Sequence, residues 1–280
     1  SDLYAVESQV AFHGYNPEEA IVKISSRKGE RILRNEDIID TINQYGSSIA
    51  SIYLGGVNYY TGQVLNMEEI TIVGHNHGAL VGFNLAHAAG NIILKLNEWD
   101  VDFSAWCTYK YLCAGPGAPS GVYIHERHHD WDGPRLNGWW GHNKNSRFKM
   151  PKFFDPIASA EAWQISNAPV LGMTPLLASM KIYEKVGMNS FHQKSKKLTG
   201  FLEFLIQESV PDVNIITPLE RGCQLSIIVK EGKKIFDILS KQGVICDWRE
   251  PDVIRVAPHP LFNTYFEIYE FVKILKKAIG

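Results

Sequence analysis

Short apolar runs that alternate with helical patterns constrain this chain more than any other feature. Ser51-Ile52-Tyr53-Leu54, Leu80-Val81-Gly82-Phe83 and the stretch Val101 to Cys107 each read as a buried strand. Asn35-Glu36-Asp37 opens a helix with apolar Ile38, Ile39 and Ile42, ended by Gly46. Met67 to His77 reads as a second helix, stopped by Gly78. Strands joined through helices build parallel sheet, because a parallel pair needs a long crossover. We therefore expect the α/β class, with a mostly parallel sheet flanked by helices. In such sheets ligands collect beyond the strand ends. Asn84, His87, Tyr109 and Lys110 all fall at such ends.

The remaining segments are less regular. Glu7 to His13 reads as a helix ended by Gly14, and Ala20 to Ile24 as extended chain. Ile92 to Glu98 reads as a short helix or turn, and Gly121 to Glu126 as one further strand. Trp131 to Phe154 is rich in Gly, Trp, His, Asn and Arg with little periodicity. A loop of that length is usually functional or at an interface. Ala158 to Gly187 predicts a helix pair broken at Ile165 to Pro169. Phe191 to Gln207 predicts a long amphipathic helix with Leu198, Phe201, Leu202 and Leu205 on one side. A smaller α/β domain follows, with strands at Val213 to Thr217, Cys223 to Lys230, Val244 to Trp248 and Val253 to Ala257. Its helices are Lys234 to Gln242 and Asn263 to Ala278. The division expected is 1–187 and 188–280.

The chemistry concentrates at Trp106-Cys107-Thr108-Tyr109-Lys110-Tyr111-Leu112, followed by the small-residue loop Ala114-Gly115-Pro116-Gly117. A lysine drawn into such a segment loses hydration, which favours the neutral amine that builds a Schiff base. On this segment alone a lysine snorkelling from a strand end is the better reading. The formal net charge of -2 leaves no electrostatic footprint for nucleic acid or an anionic membrane. No apolar run reaches the length of a membrane span, and the first residues show no signal-peptide pattern. Cys107, Cys113, Cys223 and Cys246 show neither a CxxC pair nor zinc spacing, so reduced thiols in a cytoplasmic protein are expected. His75-Asn76-His77 and His128-His129-Asp130 invite a metal reading. Histidines two apart cannot point the same way on a helix, and no third ligand stands near, so no metal is expected.

Many dispersed stretches, in one order from Ser1 to the last helix, resemble kynureninase, a pyridoxal-phosphate family of the aspartate-aminotransferase-like fold (fold type I). They include Ser1-Asp2-Leu3-Tyr4-Ala5-Val6-Glu7-Ser8-Gln9, Gly56-Val57-Asn58-Tyr59-Tyr60-Thr61-Gly62-Gln63 and Val81-Gly82-Phe83-Asn84-Leu85-Ala86-His87-Ala88. Trp106 to Leu112, Gly138-Trp139-Trp140-Gly141-His142, Arg147-Phe148-Lys149-Met150, Ile165-Ser166-Asn167 and Ile254-Arg255-Val256-Ala257-Pro258 match as well. The resemblance implies that 1–187 is part of the cofactor-binding large domain and 188–280 the small domain. It implies Lys110 as the lysine that carries pyridoxal 5'-phosphate as an aldimine and then moves the substrate α-proton. Tyr109 matches a tyrosine that contacts the cofactor phosphate, and His87 a histidine of the cofactor pocket. Asp2 matches an acid near the pyridine ring. Trp139 and Asn167 match residues that reach cofactor or substrate across the pocket and a dimer interface. Arg255 matches the arginine that clamps the substrate α-carboxylate, a task suited to a guanidinium fork. The implied reaction is hydrolysis of L-kynurenine, or 3-hydroxykynurenine, to anthranilate, or 3-hydroxyanthranilate, and L-alanine. It belongs to tryptophan catabolism and NAD biosynthesis, and the implied assembly is a cytoplasmic homodimer.

Two departures accompany the resemblance. Asn84 stands where the family has an aspartate facing the pyridine nitrogen, and Gly55 where many members have a serine that helps hold the phosphate. Family members also have a large N-terminal portion ahead of the Ser1-Asp2 match, which supplies further contacts to cofactor and substrate. The alternative expectation is therefore a truncated or impaired member, a pseudoenzyme or a split-gene subunit that needs a separate chain for that portion. A related lyase or desulfurase is a third reading, opposed by the Gly138 to His142 and Ile165 to Asn167 stretches.

Overall fold

The computed structural model describes residues 2–280. Two sheets organise it. The first has the order β1 (Ser51–Gly55), β2 (Leu80–Asn84), β3 (Phe103–Trp106), β4 (Gly121–Ile124). The first three strands run parallel and β4 runs antiparallel to β3. Helix α3 (Asn35–Tyr45) leads into β1, and α4 (Met67–Asn76) crosses from β1 to β2. Asn66 starts α4 by accepting the Glu69 N–H, as an N-cap should. Alternation along each strand decides what is buried. Ile52, Val81 and Phe83 point to one side and meet Ile38, Ile42 and Ile70 of the two helices in one core. Each such side chain contributes about 1.5–3 kcal/mol by leaving water.

The opposite face of this sheet is thinly covered. Tyr53, Leu80 and Val122 on it are exposed, and α1 (Asp2–Phe12) lies beside it with no buried residue of its own. An apolar cavity of about 630 Å3 separates α1 from the strands, lined by Val6, Val10, Tyr53, Phe103, Val122 and Trp131 among others.

After β4 the chain is irregular, with single 3-10 turns at Trp139–Gly141, Arg147–Lys149 and Ala160–Trp163. Two long helices follow, α5 (Val170–Val186) and α6 (Met188–Ser209). The second sheet has the order β5 (Asn214–Ile215), β6 (Leu225–Ile228), β8 (Val253–Val256), β7 (Asp247–Arg249), antiparallel throughout. Leu225, Ile227 and Ile254 of its strands pack on Leu198 and Leu202 of α6. Leu239 of α7 (Gly232–Lys241) and Leu275 of α8 (Tyr265–Ile279) close the same core. Among the described residues no helix is long and apolar enough to cross a membrane.

Two local expectations need correction, and a third is resolved between its alternatives. Residues 21–24 form no strand; Pro17–Ala20 is a helical turn, α2, begun by Asn16 accepting the Glu18 N–H, and among the described residues no strand pairs with the chain after it. Ile92 to Glu98, read as a short helix or turn, holds no helix: residues 96–100 form a turn that closes at Asp100, which takes a positive φ of 60°. The expected helix pair is one helix, α5, preceded by the short turn Ala160–Trp163. The observed α5 begins directly after Pro169, whose ring fixes the backbone ahead of the first helical residue.

Candidate active site

The parallel strands deliver two loops to one end of the first sheet. The loop after β2 carries His87, held in a tight turn by Ala88 N–H to Leu85 O at 2.9 Å. The loop after β3 carries Lys110, whose own carbonyl accepts the Cys113 N–H at 2.9 Å, while Ala114 N–H reaches Thr108 O at 3.1 Å. Gly90 lets the two loops touch. It has φ +78°, and a Cβ there would stand 2.9 Å from the Tyr111 carbonyl. The result brings Lys110 Nζ to 3.0 Å from His87 Nε2.

The state of His87 follows from its surroundings. Burial, then the positive charges of Lys110, Arg255 and Arg249, push its imidazole down to about 3. It is neutral at physiological pH. With Nε2 accepting from Lys110, the ring proton sits on Nδ1, and Nδ1 is buried without a hydrogen-bond partner. An orphaned buried donor is costly, about 1–3 kcal/mol, so its presence asks for a ligand acceptor.

The second sheet closes the site from the other side. Arg255 of β8 donates from Nη1 to Tyr59 O at 2.7 Å and from Nη2 to Asp247 Oδ2 of β7. Tyr59 stands 6.4 Å from the His87 ring, and Tyr111 sits edge-on to His87 at 5.8 Å. Tyr111 donates to Gln224 Oε1 at 3.3 Å, and Gln224 Nε2 donates to Tyr59 O at 3.2 Å. Burial pushes the Tyr111 phenol far up, so it stays protonated as a donor. Asn91 pins the junction, donating to His87 O at 2.9 Å and accepting the Cys223 N–H at 2.8 Å.

At the strand ends, Gly55 and Asn84 are register partners across β1 and β2. Asn84 Oδ1 accepts the Ala86 N–H at 2.8 Å, and its Nδ2 donates to Asp2 Oδ2 at 2.7 Å. Tyr109 is exposed next to Lys110, whose Nζ lies 5.8 Å from the Tyr109 ring centre. So Asp2 and Asn84 are joined, as are His87 and Lys110, and Arg255 reaches the Lys110 side through Tyr59. Trp139 and Asn167 are not brought in. Trp139 bonds Arg147 O at 3.2 Å within its own loop, and Asn167 is exposed. Among the described residues no hydrogen bond links either of them to Lys110 or His87.

Sequence reasoning missed Asp247, Arg249, Tyr111, Gln224 and His259. The last is held within the protein: its Nε2 donates to Tyr111 O at 3.1 Å, its Nδ1 accepts the Leu261 N–H at 3.2 Å, and burial lowers its pKa. One signal was present for Asp247 and Arg249. Their spacing of two puts both on one face of a strand. The histidine pairs flagged for metal do other work. His75 and His128 both bond Asp102, at 2.7 and 2.6 Å, at the opposite end of the sheet from Lys110.

Pyridoxal phosphate can be tested against these residues. It needs an amine for its aldehyde, polar partners for its ring and room for its phosphate. Lys110 supplies the amine, and its polar neighbour is a neutral imidazole rather than a carboxylate. The orphaned His87 Nδ1 supplies an unmet donor. Gly55 leaves open space, since a Cβ there would meet only Val57 O at 3.7 Å. The residues fit the group.

Comparison with known proteins agrees. Residues 191–275 match the model of the kynureninase C-terminal domain. The chain is 52% identical to a kynureninase of Flavobacterium psychrophilum, over 100% of this chain and 68% of that protein. It is 44% identical to a kynureninase of Mus musculus, over 100% of this chain and 63% of that one. In structure it resembles a cysteine desulfurase from Thermococcus onnurineus NA1, with a TM-score of 0.77 at 17% identity, covering 99% of this chain and 70% of that one. An alanine–glyoxylate aminotransferase from Nostoc sp. gives 0.76 at 16% identity, over 99% and 72%. Those two likenesses carry the fold alone, which is fold type I. By its identity to relatives over its whole length, the chain belongs to the kynureninase family, whose cofactor is pyridoxal 5'-phosphate.

Proposed function

We propose that this protein hydrolyses L-kynurenine, or its 3-hydroxylated form, to an anthranilate and L-alanine, with Lys110 at the centre of the chemistry. The observation that carries the reading is the Lys110–His87 contact at the end of the parallel strands, with His87 neutral and its Nδ1 unsatisfied. Pyridoxal phosphate, when bound, supplies the aldehyde that captures an amine and a ring that accepts an electron pair.

The protein's own groups do the rest. Lys110 Nζ takes a proton from the substrate α-carbon and returns one, helped by a neighbour that cannot compete for the charge. Arg255 binds the α-carboxylate and sets which bond at the α-carbon faces Lys110. Tyr109 and the open space at Gly55 serve the phosphate, and His87 the ring. Asn84 commits its oxygen to Ala86 and its amide to Asp2, so Asp2 would be the acid that serves the cofactor ring. Residues 1–187 act as the cofactor-binding domain and 188–280 as the small domain. Trp139 and Asn167 reach the site of a second subunit in a homodimer, which accounts for their exposure here. Free thiols at all four cysteines suit the cytoplasm.

Borohydride reduction of the protein mixed with pyridoxal phosphate tests the reading. We expect a mass increase on the peptide containing Lys110, lost in Lys110→Ala, and anthranilate fluorescence from kynurenine. A labelled Lys110 without anthranilate would favour the impaired-member reading, for which Asn84 is the specific ground. No Lys110-dependent label would overturn the assignment.

A further inference from the structure

Arg255 is held by a residue that no part of the assignment above uses. Asp247 and Arg255 are register partners in the antiparallel pair β7–β8. That places their side chains on one face of the sheet, at neighbouring positions. Asp247 Oδ2 accepts from Arg255 Nη2, and the same oxygen lies 2.7 Å from Arg249 Nη2. On the other side Arg255 Nη1 is fixed to Tyr59 O at 2.7 Å. The Arg255 side chain is 11% exposed, whereas Asp247 and Arg249 are 41% and 42% exposed. The guanidinium is therefore clamped at both Nη atoms by groups from different parts of the chain. Its remaining N–H donors stay available to a carboxylate, since a guanidinium carries more donors than these two bonds consume. Tyr59, whose carbonyl Arg255 holds, has its ring 6.4 Å from that of His87, the partner of Lys110, so the clamped group borders the Lys110 site.

We propose that Asp247 is a positioning residue for substrate binding: it fixes the plane of Arg255 and keeps Arg249 from displacing it, so that Arg255 meets the α-carboxylate ready-oriented. This rests on the reading of Arg255 as the carboxylate-binding group. Without Asp247 two guanidinium groups that share one oxygen would repel, and Arg255 would lose one of its two fixed bonds. Binding would then have to order the side chain again, a cost carried by every bound state alike. An interaction made equally in ground and transition state changes KM and leaves kcat in place.

The test uses the full chain loaded with pyridoxal phosphate. Binding of L-alanine, with ethylamine as the carboxylate-free control, is measured by calorimetry, and kynurenine kinetics alongside. For Asp247→Ala we expect KM and the alanine Kd to rise about tenfold, the worth of one lost charged hydrogen bond. We expect kcat to stay within about threefold and ethylamine binding to be unchanged. Asp247→Asn keeps an acceptor oxygen and should recover part of the loss; it also serves if the alanine variant fails to fold. Unchanged or tighter alanine binding, or equal loss in kcat and in ethylamine binding, overturns the inference. Arg255→Ala, run in parallel, separates the two layers. If it does not weaken alanine binding, or the unsubstituted protein binds no alanine, the assignment of Arg255 falls and this inference with it. If Arg255→Ala weakens binding and Asp247→Ala does not, only the role of Asp247 falls.

Discussion

Acidifying the cofactor-free protein should expose His87 as a main source of its pH sensitivity. Its folded pKa is about 3, against about 6.5 for a free histidine. A group with a depressed folded pKa leaves stability intact above its unfolded pKa. Below that, the unfolded chain takes up a proton that the folded site refuses, so stability falls until the folded pKa is reached. The window is therefore from about pH 6.5 down to about 3. At pH 5 an unfolded histidine is almost fully protonated and the folded one is not. The loss between pH 7 and pH 5 comes to about 2 kcal/mol at about 1.4 kcal/mol per pH unit. That figure is set by the unfolded side, because the folded pKa lies well below the range used. His259, lowered by burial, pulls in the same direction, so the measurement must be a difference. Urea unfolding followed by circular dichroism at both pH values, for the unsubstituted protein and His87→Gln, supplies it. Glutamine keeps an acceptor for Lys110 but no titration. The variant should lose about 2 kcal/mol less on acidification. An equal loss in both proteins would refute the argument that His87 is buried neutral against Lys110.

Other expectations follow from single contacts. Burial alone would raise the Asp102 carboxyl, but bonds from Val81 N–H, His128 and His75 outweigh it and hold it low. Removing this buried carboxylate in Asp102→Ala should cost about 3–5 kcal/mol in thermal or chemical unfolding, because Arg127 and a backbone N–H lose their acceptor. Gly82→Ala should cost about 1–3 kcal/mol, since its Cβ would stand 2.3 Å from the Phe103 ring in the middle of the first sheet. Asn84→Asp should lower kynurenine turnover, because it replaces the amide that donates to Asp2 at 2.7 Å with a second carboxylate that repels it, and a higher rate would refute the assignment of that charge to Asp2.

The first sheet was legible because its strands are closed by turn residues and separated by helices with clear starts and stops. Lys110 could be located for the same reason: β3 ends at Trp106 and the lysine lies just beyond it. The helical turn Pro17–Ala20 was not, because apolar Val22 and Ile24 suggested a strand while the Asn16 cap and Pro17 favoured a turn. A strand needs a partner, and partners are not written in a local pattern. The same limit hid Asp247. Its role depends on the β7–β8 register, which pairs it with Arg255 across a turn, and on Tyr59 arriving from a segment 196 residues away. The contact of His87 with Lys110 joins two loops whose closeness rests on the conformation of Gly90, a tertiary fact.

The junction between the two halves is asymmetric in a way that shapes how this protein can drift over generations. For three bonds of this seam the acceptors on the side of the first sheet are main-chain carbonyls, Tyr59 O for Arg255 and Gln224, and Tyr60 O for Ser226. A carbonyl is present whatever the side chain, so positions 59 and 60 can exchange residues without breaking these bonds. On the other side the donors are side chains, and Arg255, Gln224 and Ser226 have no such freedom. Sequence variation at this seam should therefore be freest at position 59, which offers only its carbonyl, while Arg255, Gln224 and Ser226 stay fixed, as do Tyr60, Asn91 and Tyr111, whose own side chains cross to Asp252, Cys223 and Gln224.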